Sequence, residues 1–440
     1  MEIGKNLKVL VIGGGGREHA ICWKLAQSES VAKIFCAPGN GGTAKEAKTS
    51  NVDIGVMDFD RLTEFAKKEA IDLIVVGPDD PIAAGAVDHF KAAGLRAFGP
   101  NKEAAQLEAS KTYSKNFMVA HRIPTARFLV CDSLQAGLDA VKEHPWARVI
   151  KADGLALGKG VFVCDDEDEA TDALHAIFRE RRFGQAGDRV VIEERLVGEE
   201  LSLLLFCDGK RLVEMPPSQD HKRRFDGDKG PNTGGMGAYS PVDLYVQCRE
   251  EIETQVLAPL RKALQARTLD YQGILFIGIL VESRILEDGI RAYQPYVLEF
   301  NARFGDPETQ TLLPLLKSDL LPILWSCTTG NLAEIEIEWR KQASCCVVAA
   351  AETYPESSSK GEPITIGKLD GDTFVFHAGT TLQSGKVVTN GGRVLAVTAL
   401  DGTMSGAADK SYAGLTNVSF NGISFRKDIA RRASTGCLSR

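Results

Sequence analysis

Over the first hundred residues, short apolar runs alternate with longer stretches in which apolar residues recur at helical spacing. Runs such as LKVLVIG (7–13) and IDLIVVG (71–77) predict buried strands, whereas LTEFAKKEA (62–70) predicts an amphipathic helix. This alternation of strand and helix is typical of an open parallel sheet with helices on both faces. The pattern therefore predicts an N-terminal α/β domain, which we place at residues 1–107.

The hydrophobic pattern changes twice beyond that domain. A helix predicted over 102–121 leads into a small strand-rich unit at about 125–195, and longer apolar runs then predict a larger sheet. A glycine-dense loop at 219–241 interrupts that sheet. Further along, short strands punctuated by Gly, Pro and Ser predict a separate α+β domain. We therefore expect a middle domain at 108–327 and a C-terminal domain at 328–440.

Composition narrows the class of protein without identifying its chemistry. The chain has 440 residues, a formal net charge of −7 and 44% hydrophobic residues, which predict a globular protein of several domains. No large basic block occurs, so we expect no nucleic-acid partner. No apolar run approaches the roughly 18 residues of a membrane span, so we expect no membrane partner. Ten cysteines without a CxxC pair predict reduced thiols in a cytoplasmic protein, with no zinc site.

The stretch KADGLALGKG (151–160) has the glycines and lysines of a phosphate-binding loop but not the spacing of a Walker A motif. Its glycines lie too close together, and Gly160 follows Lys159 where Ser or Thr is required. Strand-like runs on both sides predict a hairpin whose tip brings backbone N–H groups and lysines near an anion. From these residues alone, an ordinary flexible hairpin remains the alternative.

A second glycine loop, VIGGGGREHA (11–20), follows the first predicted strand and opens a helix. It does not fit the dinucleotide fingerprint, because Glu18 replaces the third glycine and no acid ends the second strand. An anion at the helix N-terminus fits better, with Arg17 and His19 adding donors, and a ligand-free turn is the alternative. Asp79 ends another strand of the same sheet, where it is either a ligand for sugar hydroxyls or a turn residue.

Two later segments predict a metal site and a nucleotide site. In VLEFNARFGDPE (297–308), strand alternation places Glu299 and Asn301 on one face, and Arg303 joins them if the strand continues. The first two supply oxygen ligands suited to Mg²⁺, and the arginine can neutralise phosphoryl charge. The acids of VIEERLVGEELS (191–202) can frame an adenine and its ribose. A polar strand end and a charged connector, respectively, are the alternatives.

Together with SQDHKRRFDGDKGPNTGGMGAYSP (218–241), these motifs resemble those of the phosphoribosylamine–glycine ligases, or glycinamide ribonucleotide synthetases, of the ATP-grasp superfamily. The resemblance covers about residues 7–433. It implies a pre-ATP-grasp N-terminal domain, an ATP-grasp core with a small flexible lobe, and an α+β C-terminal domain. It also implies ligation of glycine to 5-phosphoribosylamine in de novo purine synthesis, through glycyl phosphate, with ATP as co-substrate and Mg²⁺ or Mn²⁺ as cofactor. The implied partners are these small molecules, and a monomer is expected.

The resemblance implies roles for individual residues. Arg303 and Lys151 match catalytic positions, and Glu299 and Asn301 match metal ligands. The positions matching ATP contacts are Lys111, Lys151, Lys159, Glu193, Leu196 and Glu200. The positions expected to bind the other substrates are Gly15, Gly16, Arg17, Glu18, Asn40, Asp79, Asp220, Lys222, Asp306, Arg393 and Arg426.

Three positions depart from what the resemblance leads one to expect. Asp79 replaces a glutamate, Ala430 replaces a glycine, and Gly278 stands where some ATP-grasp enzymes have a further acid. Two other functions remain as alternatives, a biotin-dependent type of carboxylase and a nucleotide sensor without activity. The 218–241 string, the lack of a carrier segment and the intact Glu299, Asn301 and Arg303 favour the ligase.

Overall fold

The structure, a computed structural model, describes residues 4–156 and 160–434. Its N-terminal part is a parallel sheet of five strands in the order β3-β2-β1-β4-β5. In β1, Val9 and Leu10 are both fully buried and pack against different apolar clusters, because helices cover both faces. The predicted open α/β sheet is confirmed. The elements are β1 (Leu7–Gly13), α1 (Gly16–Ala26), β2 (Val31–Pro38), β3 (Thr49–Asn51), α2 (Phe59–Lys68), β4 (Leu73–Val76), α3 (Asp79–Ala84), α4 (Ala86–Ala92) and β5 (Ala97–Phe98).

The single helix predicted over 102–121 is wrong. Two helices replace it, α5 (Gln106–Ala109) and α6 (Lys111–Ala120), with Ser110 in an extended conformation between them. The hydroxyl of Ser110 accepts a hydrogen bond from the N–H of Tyr113, so this serine caps the second helix. Before the break, the carboxylate of Glu108 accepts the backbone N–H of Ala302, just beyond a strand far along the chain.

The small strand-rich unit is an antiparallel sheet in the order β6-β9-β7-β8. The predicted glycine hairpin is confirmed, since β7 and β8 pair as neighbours and Lys151 lies opposite Val161. Lys159 at its tip lies outside the described residues. The elements are β6 (Phe128–Cys131), α7 (Leu134–Glu143), β7 (Ala147–Ala152), β8 (Val161–Val163), α8 (Glu167–Leu174) and β9 (Val190–Glu194).

A larger antiparallel sheet follows in the order β11-β10-β16-β17, and its last two strands form a long hairpin. The glycine-dense segment between β11 and β16 is not a simple loop, because it contains four short strands. The elements are β10 (Glu199–Asp208), β11 (Leu212–Glu214), β12 (Gln219–Asp220), β13 (Arg223–Phe225), β14 (Lys229–Asn232), β15 (Gly237–Ser240), α9 (Asp243–Gln247), α10 (Arg249–Ile252), α11 (Ala258–Gln265), β16 (Gln272–Ile285) and β17 (Arg291–Asn301).

The C-terminal part is an α+β unit, as predicted. Its main sheet runs β12-β15-β18-β24-β21, so two strands of the glycine-dense segment are built into it. This pairing ties the glycine-dense segment to the C-terminal unit. The elements are α12 (Glu308–Leu312), α13 (Leu320–Thr329), β18 (Ala343–Ala351), β19 (Ser359–Pro363), β20 (Thr365–Ile366), β21 (Thr373–His377), β22 (Thr380–Gln383), β23 (Lys386–Gly391), β24 (Arg393–Asp401), α14 (Met404–Leu415), β25 (Val418–Ser419), β26 (Ile423–Ser424) and α15 (Arg431–Ser434).

Candidate active site

Glu299 and Asn301 lie at the end of β17, and Arg303 lies two residues beyond it, because the strand does not continue past Asn301. Nη2 of Arg303 donates to Oδ1 of Asn301 at 3.2 Å, and Oε1 of Glu299 lies 3.9 Å from Nζ of Lys222. Burial alone would raise the pKa of Glu299, but Lys222 and two further lysines lower it overall. Gly278 lies opposite Glu299 in β16, and a Cβ there would be only 3.3 Å from the glutamate Cγ. The glycine therefore leaves room for the carboxylate side chain.

Glu108, which the sequence analysis did not identify, contacts the residues at the end of β17. One of its carboxylate oxygens lies 3.0 Å from Nη2 of Arg303, and the other accepts the backbone N–H of Ala302 at 2.7 Å. Burial would lower the pKa of Arg303, but Glu108 and Asp79 more than offset this, so the guanidinium stays charged. Within the described residues, Nε of Arg303 is buried without a hydrogen-bond partner. Asp79, at the start of α3, thus acts on this end of the site electrostatically.

The lysines expected to contact phosphate lie across from β17. Nζ of Lys151 is 2.8 Å from Oε1 of Glu193, and Nζ of Lys111 donates to the carbonyl of Gly154 at 3.1 Å. Burial lowers the pKa of Lys111, although Glu299 opposes this change. The hairpin root is fixed, because Asp153 accepts the backbone N–H of Thr112 at 2.6 Å.

A third buried lysine, Lys115, was also missed by the sequence analysis. Its Nζ lies 2.9 Å from Oε2 of Glu193, so the glutamate sits between two ammonium groups. The one available signal was spacing, since Lys115 follows Lys111 by one helical turn and so shares its face of α6. Spacing could not indicate burial, which here depends on strands distant in sequence.

Two of the predicted ATP contacts, Glu200 and Leu196, lie near Asp220 and Lys222, which were predicted to bind the other substrates. Nζ of Lys222 lies 3.2 Å from Oε2 of Glu200, and Glu200 above all raises the pKa of Lys222 well above its usual value. Burial raises the pKa of Asp220 to about 7, against the opposing effect of Lys222. Leu196 lies between β9 and β10 and is half-buried. Charges of both signs are therefore concentrated beside Glu299.

A cavity of about 410 Å³ lies between the N-terminal glycine loop and the C-terminal unit. Gly15 is part of its lining, whereas Gly16 opens α1 and packs against Gln310. Other sequence-predicted residues in the lining are Asp306 and Arg393. The remaining lining residues are Gly14, Pro38, Gly39, Tyr354, Ala378, Gly379, Thr380 and Asn390. The structure thus brings the N-terminal glycine loop and residues of the C-terminal unit together around one pocket.

Arg393 and Asp306 form the charged wall of this pocket. Nη1 of Arg393 donates to the carbonyl oxygens of Asp306 at 2.8 Å and of Gly234 at 2.5 Å, and lies 3.4 Å from Oδ1 of Asp306. Burial would raise the pKa of Asp306, but Arg393 and then Arg17 lower it overall. The pocket wall therefore carries charges of both signs.

Three other residues predicted to bind substrate are already hydrogen-bonded within the protein. The carboxylate of Glu18 is 1% exposed and accepts the N–H of Gly15 at 2.7 Å, and Nη1 of Arg17 donates to the carbonyl of Phe304 at 3.0 Å. The side-chain amide of Asn40 donates to the carbonyl oxygens of Gly14 at 3.0 Å and of a C-terminal histidine. These side chains shape the glycine loop and do not present free donors to the pocket.

Arg426, which was also predicted to bind substrate, makes its contacts within the protein. Its guanidinium is 1% exposed and donates to the carboxylates of Asp428 and Asp228 and to the carbonyl of Arg223. The arginine therefore fastens the β13–β14 hairpin to the C-terminal unit, and it does not line the pocket. The same anchoring restrains the glycine-dense segment. Nearby Ala430 adopts φ of +64°, a conformation that favours glycine.

Nine cysteines within residues 4–156 and 160–434 are free and buried, as the sequence predicted. In the same part of the chain, no helix has the length and apolar character needed to cross a membrane.

Comparison with known proteins gives a consistent result over nearly the whole chain. The sequence matches the N domain of phosphoribosylglycinamide synthetase over residues 7–108, its ATP-grasp (A) domain over 109–309 and its C domain over 344–432. It is 44% identical to a phosphoribosylamine–glycine ligase of Caldanaerobacter subterraneus, covering 96% of this chain and 99% of that protein. A trifunctional purine biosynthetic protein of Gallus gallus is 46% identical over 97% of this chain, which spans 42% of that longer protein.

Solved structures agree. A crystal structure of phosphoribosylamine–glycine ligase from Thermotoga maritima has a TM-score of 0.79 and 34% identity, covering 96% of this chain and all of that one. The biotin carboxylase domain of a 2-oxoglutarate carboxylase from Hydrogenobacter thermophilus has a TM-score of 0.70 at 14% identity, covering 95% of this chain and 91% of that one. This second likeness shows the fold alone and confirms the predicted ATP-grasp architecture. The chain belongs to the phosphoribosylglycinamide synthetase family.

Proposed function

We propose that this protein ligates glycine to 5-phosphoribosylamine, with ATP converted to ADP and phosphate, in de novo purine nucleotide synthesis. The observation that carries the proposal is the segment from Glu299 to Asp306, which joins two sites. At its start, Glu299, Asn301 and Arg303 face the lysines of α6 and β7. At its end, Asp306 lines the glycine-loop pocket. A nucleotide phosphate and a sugar phosphate bound at these two places would lie beside one another.

The proposed reaction has two steps. A carboxylate oxygen of glycine attacks the γ-phosphorus of ATP and ADP leaves, giving glycyl phosphate. The amine of phosphoribosylamine then attacks the carbonyl carbon, phosphate leaves and the amine nitrogen loses a proton. Lys111 and Lys151 hold phosphate oxygens, and Arg303 neutralises charge that develops on the transferred group. Lys159 is proposed as a further phosphate contact from the hairpin tip.

Glu299 and Asn301 fit a hard divalent cation such as Mg²⁺ or Mn²⁺, because a carboxylate and an amide oxygen lie at one strand end. Within the described residues, no group of three or more His, Cys, Asp or Glu side chains is arranged to hold a metal ion. Water and phosphate oxygens would therefore complete the coordination. When bound, the cation would supply positive charge at the phosphates of ATP.

The remaining substrate contacts follow from the two ends of the site. Glu193, Leu196 and Glu200 would frame the adenine and ribose of ATP. Arg393 and the amides of the glycine loop other than that of Gly15 would hold the sugar phosphate, because backbone N–H groups at a helix N-terminus favour an anion. The carboxylate of Asp306 is proposed to contact another part of the same substrate. Asp79, Asp220 and Lys222 are proposed to contact substrate in the region between these two ends of the site.

We further propose a cytoplasmic monomer that acts on small molecules, with domains at 1–107, 108–327 and 328–440. Buried free thiols are the state expected in a reducing compartment. Light scattering of the purified protein tests the monomer.

An ADP-release assay on the full chain tests the activity. ADP release is expected only when ATP, glycine and phosphoribosylamine are all present, and other carboxylates and amines are expected to be poor replacements. Bicarbonate-dependent release would favour the carboxylase alternative. Nucleotide binding without turnover would favour a sensor.

A further inference from the structure

Lys115 is a buried cation to which the proposed chemistry gives no role. Its side chain is 2% exposed, and burying an ammonium group is costly unless it is paired and hydrogen-bonded. Here it is both, since Nζ donates to Oγ1 of Thr125 at 2.7 Å and lies 2.9 Å from Oε2 of Glu193. The Phe128 ring lies 5.7 Å away. These contacts with separate elements indicate that the ammonium group holds a structural junction.

The junction lies where the chain passes into and out of the small sheet. Thr125 belongs to the incoming segment just before β6, and Glu193 belongs to β9, the last strand before the chain leaves. The hydroxyl of Thr125 donates to the carbonyl of Val297, and the N–H of Val297 donates to the carbonyl of Pro124. The ammonium group therefore joins α6 to the segment that enters the small sheet and to β9, its last strand, and the incoming segment is in turn bonded to β17.

The same ammonium group also controls the partner of Lys151. Oε2 of Glu193 faces Lys115, which leaves Oε1 for Lys151 at 2.8 Å. Burial lowers the pKa of Lys115 to about 8, and Lys151 acts in the same direction, while Glu193 and Glu299 oppose them. Without Lys115, Lys151 alone would neutralise Glu193, and its ammonium group would be less available to a phosphate.

We propose that Lys115 is a positioning residue that fixes both connections of the small lobe and, through Glu193, frees Lys151 to bind nucleotide phosphate. This inference rests on the proposed function, because it requires ATP to bind between the two lobes. It predicts a loss of nucleotide affinity with little loss of the chemical step, since Lys115 does not itself face the phosphates.

Binding of a non-hydrolysable ATP analogue with Mg²⁺, measured by calorimetry on the full chain, tests this role. Lys115→Met is expected to raise the dissociation constant about tenfold or more, and Lys115→Arg to restore most of the affinity. The KM for ATP should rise similarly, while kcat at saturating ATP stays within about threefold of wild type. Lys24→Met is the matched control, because Lys24 is also a buried lysine and donates to a carbonyl in a different part of the molecule.

A double-mutant cycle separates this role from a merely structural one. In a Lys151→Met background, Lys115→Met should weaken binding by no more than about threefold, because both changes act on one phosphate contact. Additive effects, or a Lys115→Met variant that binds like Lys24→Met, would overturn the inference. If Lys115→Met does not fold, Thr125→Val removes one partner of the ammonium group and should still weaken binding severalfold, and unchanged binding would count against the role.

The wild-type measurement distinguishes a failure of the proposed function from a failure of the inference about Lys115. A wild-type protein that binds no ATP analogue would overturn the proposed function and the inference together. A wild-type protein that binds it, with Lys115→Met binding equally well, would overturn the inference alone.

Discussion

The polar residues at the two ends of the proposed site have different kinds of hydrogen-bond partner. At the nucleotide end, charged side chains pair with one another, Lys151 with Glu193 and Lys222 with Glu200. At the sugar-phosphate end, Glu18 and Asn40 bond to backbone groups of the glycine loop. A motif therefore identifies the residue type at a position, but it does not say whether that residue's hydrogen bonds are already taken.

The difference has a physical cause. The glycine loop makes sharp turns whose buried N–H and C=O groups need partners, and Glu18 and Asn40 supply them. What the pocket offers a ligand is the resulting backbone shape together with Arg393. The nucleotide end is built on regular strands that satisfy their own backbone, so its charged groups are free to exchange one another for a ligand. The nucleotide end should therefore respond to single charge changes more than the sugar-phosphate end.

The largest effect is expected at Glu299. Glu299→Gln keeps the shape of the side chain but removes a charge that faces three lysines and the proposed cation. Turnover should fall by about 10²–10³-fold, a magnitude typical for loss of one electrostatic group in an active site. Steady-state ADP release measures the effect. Glu282→Gln, on the exposed part of β16, is the matched control and should keep wild-type activity. Wild-type turnover by Glu299→Gln would remove this residue from the site.

At the sugar-phosphate end, variants of two arginines distinguish a substrate contact from a structural contact. Arg393→Gln should raise the KM for phosphoribosylamine about ten- to a hundredfold and leave that for ATP within about twofold, because one charge-assisted contact to the sugar phosphate is lost. Initial rates with each substrate varied in turn give both constants.

Arg426→Gln is the contrasting variant. It leaves Asp428 and Asp228 without their cation, so it should lower the unfolding free energy by a few kcal/mol while both KM values change little. An increase in the KM for phosphoribosylamine in Arg426→Gln but not in Arg393→Gln would reverse the assignment of the two arginines.

Local patterns predicted much of this arrangement from the sequence. The open parallel sheet followed from alternating strand and helix, and the placement of Glu299 and Asn301 at one strand end followed from the two-residue period of a strand. The paired β7 and β8 followed from glycines between two strand-like runs. These predictions succeeded because each depends on residues close together in the chain.

The failures depended on contacts between distant residues. Glu108 bonds to Ala302, 194 residues away, after a break at Ser110 that helical periodicity did not reveal. Lys115 was not singled out by any local pattern, and only the packing of the small lobe buries it. Arg426 matched a family position by residue type, yet its partners Asp228 and Asp428 occupy it. Burial of a charge is decided by tertiary structure.

The seam between the glycine loop and the C-terminal unit should weaken in acid. The N–H of His377 donates to Nδ1 of His19, and burial lowers the pKa of His377 to about 3, with His19 and Lys45 acting in the same direction. A folded-state pKa below the unfolded value of about 6.5 means that stability is present above pH 6.5 and is lost as the pH falls. The loss should approach about 1.4 kcal/mol per pH unit.

Urea unfolding at pH 7, 6 and 5 measures this loss through tryptophan fluorescence, since Trp23 packs on Phe374 and Phe376 at the seam. His377→Gln cannot be protonated in this range and should show a weaker dependence on pH. Glu46, which lies 3.5 Å from Nε2 of His19, stays negative over the same interval because its pKa is lowered, and it should not contribute to the slope. Parallel curves for the two proteins would show that His377 is not the group responsible.

The smallest effect is expected at Ala430, which belongs to neither end of the proposed site. Its φ of +64° costs an alanine about 1–2 kcal/mol, which Ala430→Gly would relieve. Against this gain, glycine adds freedom to the unfolded chain, about 0.4–1 kcal/mol, and removes a buried methyl group worth about 0.8 kcal/mol. The terms nearly cancel, so the unfolding free energy should change by less than about 1 kcal/mol.

Ala407→Gly is the matched control, because Ala407 is equally buried in the same core but lies inside α14, where both costs apply without relief. Ala407→Gly should therefore be less stable than Ala430→Gly by about 1–2 kcal/mol in thermal unfolding. Equal losses in the two variants would mean that the turn at Ala430 accepts alanine without strain, and that the departure from glycine there has no energetic consequence.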